Sequence, residues 1–195
     1  MRLGARCPRS YDRAVPDTPL PARSEDAERR PAALLIVYSW DLVLAILAVF
    51  GALAAFAGGL AVGATATVGL SLPVQLVAAL ASASYAATLL IVASLLTRRS
   101  RWVRTMQITT LSVAIVLAAL SLLVGYTTGR RIELGGLLGT LLFMLLDALA
   151  IVIMTERRIT AWYTEEARTP RYVLATLGFW SVSECAFVVL AAALR

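Results

Sequence analysis

Histidine, lysine and asparagine are missing from all 195 positions. Without an imidazole the chain lacks the usual side chain for metal ligation. It also lacks the usual activator of a serine or cysteine nucleophile, and the usual proton switch near neutral pH. Cysteine occurs twice, at Cys7 in a polar leader and at Cys185 in the last apolar run. Two cysteines in such different settings make neither a disulfide framework nor a zinc site. No glycine-rich phosphate loop, HExxH, GxSxG or CxxC is present. Apart from the leader, no polar segment is long enough to form a domain. These gaps point away from an enzyme and away from a resident metal or cofactor, and no residue is nominated for either role.

What the chain has in quantity is apolar side chain. Hydrophobic residues make up 59% of the sequence, and the mean hydropathy is +0.79. A soluble domain is about 45–50% apolar. The excess sits in blocks of about 20 residues or more, not in a 3.6-residue stripe, and such blocks are helices able to cross roughly 30 Å of hydrocarbon. The pattern predicts an all-α membrane protein. Four transmembrane helices over about 31–57, 72–96, 102–126 and 134–155 form an up-and-down bundle, and a fifth C-terminal helix covers 172–195.

Local signals support these bounds. Pro31 and Pro73 fall in first turns, where a missing N–H costs nothing. Gly58 and Gly59 end the first span. Ala78, Ser82 and Ala86 make a small-residue ridge, and Gly135 and Gly139 a GxxxG pair, both suited to close helix packing. Trp102 and Tyr126 stand as interfacial anchors at the two ends of the third span. Residues 58–71, uncharged and rich in Gly and Thr, read as a loop, and residues 127–133 as a short polar connection. Residues 1–30 read as a solvated cytoplasmic tail and not as a signal peptide. In the polar stretch 156–171, Ile159, Trp162 and Tyr163 share one face of a short helix lying along the membrane surface.

All 18 basic residues are arginine, and the net charge is +6. In a soluble protein that excess would suggest nucleic acid. Here membrane orientation and anionic headgroups account for it. The expected partners are therefore lipids and other membrane subunits or further copies of the chain, with no nucleic acid. The turn from Thr97 to Arg104 carries Arg98, Arg99, Arg101 and Arg104, and the 156–171 segment carries Arg157 and Arg158. With the leader, this side of the membrane holds fifteen of the eighteen arginines. The other side holds Arg130, Arg131 and Arg195. The positive-inside rule then places the N-terminus in the cytoplasm and the C-terminus outside the cell membrane.

The run Arg99-Ser100-Arg101-Trp102-Val103-Arg104 and the run Met154-Thr155-Glu156-Arg157-Arg158-Ile159-Thr160-Ala161-Trp162-Tyr163 together resemble small bacterial four-helix membrane proteins of uncharacterised function. In that group a basic, aromatic turn opens the third helix, and the fourth ends in an acidic and aromatic tail. The resemblance spans about residues 30–163. It implies a tetraspan bundle, with the fifth helix an addition, and it implies no activity.

Three acids lie inside the spans: Asp41, Asp147 and Glu184. A carboxylate at the bilayer centre costs about 2.5–3.5 kcal/mol even on the lenient insertion scale, so each should face the bundle and have a partner. Counted from the cytoplasmic ends all three are roughly 13–18 Å deep, close enough to share one layer. Tyr38, Tyr85 and Trp180 are placed to hydrogen-bond into that layer, Thr140 and Met154 share the face of Asp147, and Gln107, Thr109, Thr110 and Gln75 are further polar groups in the spans. No arginine stands at comparable depth, and carboxyls without a basic partner in hydrocarbon tend to be protonated. Two functions follow. One is a non-catalytic accessory or structural subunit, or self-associating bundle, whose acids hydrogen-bond helices together. The other is a small proton- or cation-coupled transporter or channel using those acids.

A membrane-impermeant label applied to intact cells tests the orientation. A reporter cysteine at the N-terminus should stay unlabelled and one at the C-terminus should be labelled; the reverse result would invert the assignment.

Overall fold

The computed structural model describes residues 31–57, 59–61, 66–68, 71–127 and 134–193. The tail expected over 1–30, the connection expected over 128–133, Cys7, Arg130, Arg131 and Arg195 lie outside the described residues.

Six helices and one small ribbon are seen among the described residues. Helix α1 is Ala33–Phe56, strands β1 and β2 are Gly59–Ala61 and Ala66–Val68, and α2 is Leu72–Leu95. Helix α3 is Arg101–Thr127, α4 is Leu134–Thr155, α5 is Arg157–Trp162 and α6 is Arg171–Ala193. The five long helices are each apolar enough to cross a membrane. The stretch expected to be a plain loop pairs parts of itself instead: β1 and β2 run antiparallel, with Leu60 opposite Thr67. Helix α1 starts two residues later than Pro31, whose carbonyl accepts the Leu34 N–H at 3.0 Å. Pro73 falls inside the first turn of α2, as expected.

Helix α2 is the most enclosed of the five. It packs chiefly on α1 and α6, while α3 packs chiefly on α4. Helices α1 and α2 run antiparallel. Leu34 and Val37 meet Leu95 and Leu96 at one end, Leu44 and Ala45 meet Leu89 midway, and Ala55 meets Ala78 and Ala79 at the other end. Alanines at that far end let the backbones close, because lipid gives helices no hydrophobic reason to associate and tight van der Waals contact must supply it. Ala78 and Ala86 of the predicted ridge are buried, and Ser82 is half-buried.

Three expectations change here. Helix α6 is not an appendage to a four-helix core, because it lies along α2 more extensively than α3 does. Gly135 and Gly139 make no close helix contact among the described residues: a Cβ added at either would meet no atom of these within 4 Å. Trp102 is no interfacial anchor; it is turned inward and is 8% exposed, whereas Tyr126 at the other end of α3 points outward. Trp102 sits at the first turn of α3, beside the core that Leu34, Val37 and Met154 close, and filling that core buries more apolar surface than lying at a headgroup would.

That core belongs to the basic turn. Ser100 pairs with Glu165 as an isolated parallel bridge, in which the Arg101 N–H donates to the Glu165 carbonyl and the Glu165 N–H to the Arg99 carbonyl, at 3.0 and 3.1 Å. The Tyr163 hydroxyl donates to the Leu96 carbonyl at 3.3 Å. Arg104 Nε donates at 2.8 Å to the carbonyl of Met154, one of the unsatisfied acceptors in the last turn of α4, which is where a cation is best placed on the helix dipole. Arg101 pairs with Glu166 at 2.8 Å, and the Arg99 guanidinium lies 5.5 Å from the Trp162 ring centre. Ile159 and Tyr163, expected on the membrane surface, are instead sealed into the bundle. Helix α5 therefore acts as a plug held by its apolar face.

Truncating that plug should destabilise the protein far more than removing its ion pair. Ile159→Ala should cost about 2–5 kcal/mol as a cavity mutation, and Glu166→Ala less than about 1 kcal/mol. Unfolding titrations in mixed micelles measure both; equal effects would deny the plug its role.

Candidate functional site

Each long helix contributes polar side chains at a similar height. Asp41 lies eight residues from the start of α1 at Ala33, and Asp147 eight from the end of α4 at Thr155. Both are therefore about 12 Å from the end that carries the basic turn. Tyr85 and Glu184 follow at about 15 and 20 Å on α2 and α6.

The layer has two halves. In the first, adjacent residues of α1 reach two different helices. Trp40 Nε1 donates to Asp147 Oδ1 at 2.8 Å, and Asp41 Oδ1 accepts from Gln107 Nε2 at 2.8 Å. Phe143 of α4 lies against the Trp40 ring, with centroids 5.8 Å apart. Asp41 and Gln107 have no exposed surface, and Asp147 has very little. In the second half, Tyr85 stacks on Trp180 at 4.6 Å between centroids. Ser84 and Ser183 hydroxyls share a hydrogen bond of 3.1 Å, and Thr88 donates to the Ser84 carbonyl at 2.8 Å. Tyr85 joins the halves: Asp41, Asp147 and Glu184 all lie within electrostatic reach of it, and it packs with Trp40 against Leu44, Ala45 and Leu89.

Of the residues proposed from sequence, Asp41, Gln107, Asp147, Tyr85 and Trp180 meet in this layer. Glu184 is half-buried and has no hydrogen-bond partner among the described residues, and Trp180 gives its face to Tyr85 and no bond to Glu184. Tyr38 points outward. Thr140 and Thr109 bond back to carbonyls of their own helices at Gly136 and Thr105. Met154 serves the apolar core near the basic turn, and Gln75 lies in the first turn of α2, at the opposite end from the layer. Sequence reasoning missed Trp40 and the Ser84–Ser183 pair. The signal for Trp40 was its indole N–H, which must find an acceptor when placed in hydrocarbon.

Four buried polar atoms have no hydrogen-bond partner among the described residues: Asp41 Oδ2, Gln107 Oε1 and Thr110 Oγ1 in or beside the layer, and Trp162 Nε1 near the basic turn. Thr110 stands one turn beyond Gln107 on α3. No three of His, Cys, Asp and Glu are grouped to hold a metal ion among the described residues. Two open, almost wholly apolar clefts lie on the outer surface. One, of about 430 Å³, rests against Leu35, Ile36 and Val43 of α1. The other, of about 500 Å³, lies between α3 and α6 and is lined by Leu120, Val124 and Val188. No carboxyl lines either. The arrangement can join helices and can hold protons, and the groups that meet in it are carboxyls, an amide, hydroxyls and aromatic rings, with no basic side chain among the described residues.

Five membrane-length apolar helices around a polar layer define a multi-pass integral membrane protein. Compared with protein-family models, with curated proteins and with solved structures, the chain matches none.

A double-mutant cycle tests whether the first half of the layer joins helices. Trp40→Phe and Asp147→Leu should show a coupling of about 0.6–1.7 kcal/mol, the range measured for hydrogen bonds between membrane helices. Tyr38→Phe should change stability by less than about 0.5 kcal/mol. A coupling of zero would remove the bond from the account of the fold.

Proposed function

We propose that the protein is a non-catalytic multi-pass bundle of the cytoplasmic membrane: an accessory or structural subunit that associates with its own copies or with other membrane proteins. The observation that carries this reading is how the two most deeply buried acids are used. Each accepts its bond from a neutral donor on a different helix, Gln107 for Asp41 and Trp40 for Asp147, and neither lines the two outer clefts described above. Acids spent this way join helices. The five spans then run up and down, with the basic turn, α5 and the leader on the cytoplasmic side, in keeping with fifteen of eighteen arginines there. Helix α4 is the natural contact for a partner. Beyond Asp147 towards Leu134 its side chains are exposed or half-buried, and a Cβ added at either glycine of its GxxxG pair would meet no atom within 4 Å among the described residues.

A second reading, a small proton- or cation-coupled transporter or channel, draws on the three carboxyls gathered around Tyr85. Two measurements separate the readings. Mild detergent extraction should give a defined particle heavier than one 20.8 kDa chain, and liposomes containing it should show no flux of protons or of common cations. A clean monomer without a co-purified partner would overturn the association reading. A flux abolished by Asp147→Asn would establish the transporter.

A further inference from the structure

The bond between Asp41 and Gln107 uses only half of each group. Asp41 offers a planar carboxyl with two oxygens, and Gln107 a planar amide with one nitrogen and one oxygen. Nε2 donates to Oδ1 at 2.8 Å. The other atoms of the same two groups, Oδ2 and Oε1, are both buried and both without a partner. If Asp41 is a charged carboxylate, these are two acceptors with no donor, in a place that water does not reach, and an unmet buried acceptor is costly.

Among the described residues the surroundings supply no countercharge. Asp147 faces Asp41 from α4. Tyr85 faces it from α2, and Glu184 of α6 acts on that same tyrosine. On α3, Gln107 is the facing group. Arg104, one turn nearer the helix start, has its Nε engaged by the Met154 carbonyl. Every ionisable neighbour of Asp41 is thus an acid or a phenol. Both orphaned atoms are acceptors, and one hydrogen shared between them would satisfy both.

We propose that Asp41 and Gln107 form a buried proton-binding site. Asp41 is the neutral acid, its Oδ2–H donates to Gln107 Oε1, and Gln107 Nε2–H donates to Asp41 Oδ1. The proton is taken from the aqueous phase when the helices assemble: the Oδ2–H bond forms as an O–H bond of water or hydronium breaks, and the hydroxide or water left over stays in the aqueous phase. One proton satisfies both orphaned atoms and closes an acid–amide ring of two parallel hydrogen bonds between α1 and α3. Asp147 needs no such ring, since its unbonded oxygen is not among the buried, partnerless atoms. The proposal rests on the reading of the buried acids as helix-to-helix bonds and names the species that makes one of them. The competing occupant is a small cation held by Asp41 Oδ2, Gln107 Oε1 and Thr110 Oγ1.

Infrared spectra of the full chain in lipid decide between them. The wild type should show the carbonyl stretch of a protonated carboxyl that moves on deuterium exchange. Asp41→Asn should lose that band yet melt close to the wild type, because an amide at this position can close the same ring. Gln107→Leu should keep the band and shift it to higher frequency, as a carboxyl with fewer hydrogen bonds does. If Asp41→Asn does not fold, the Gln107→Leu shift decides alone. A band unchanged in both variants overturns the proposal. So does a wild type whose melting temperature rises with sodium, potassium or calcium in a way that Asp41→Asn abolishes, which would assign the site to a cation. None of these outcomes alters particle mass or liposome flux, so this proposal and the association reading fail independently.

Discussion

In hydrocarbon a polar side chain has no water to fall back on, so each one must be met by protein or left at a cost. That constraint converges on two adjacent residues of α1. Trp40 gives its N–H to Asp147 of α4, and Asp41 takes one from Gln107 of α3. Neighbours on a helix point about 100° apart, so the pair fixes the rotation of α1 against two helices at once. Turning α1 away from that setting would strand an indole, a primary amide and two carboxyls together. Apolar contacts alone give membrane helices weak orientation, because lipid chains are as apolar as leucine.

At the end with the basic turn a different balance holds. Water and charge are within reach there, and the backbone does part of the joining. The Ser100–Glu165 bridge ties the turn to the segment after α5, and Ile159 and Tyr163 seal the core beneath it. The arginines divide their work. Arg104 supplies a helix end with its missing donor, Arg99 covers an indole, and Arg101 makes an exposed ion pair of little energetic weight. The basic turn thus also builds the folded end of the protein.

Helix α2 holds the middle by being small-sided towards α1 and polar towards α6. Alanines allow the first approach, and Ser84, Thr88 and the Tyr85–Trp180 stack make the second. Helix α4 has the opposite character. It touches the bundle through Asp147, Ala150 and Met154, and its other half faces outward.

The five long apolar helices were legible in the sequence because a run of about 20 apolar residues has few other uses. The depth of the acids was legible too, since helical rise converts residue number into height. The partners were not. Gln107 was seen as a polar residue of the third span, but nothing in the order of residues says that α3 faces α1 at that height, or that α6 lies along α2. The Gly135–Gly139 pair shows the same limit, as the spacing says that close packing is possible and not against what. Hydropathy and arginine placement act on each segment alone, so the chain by itself determined which stretches are apolar helices of membrane length and where the arginines lie between them. Which helix neighbours which depends on side chains from distant positions meeting across a gap, so only the folded bundle decided that Trp40 reaches Asp147, that Asp41 reaches Gln107, and that two of their atoms are left facing no donor.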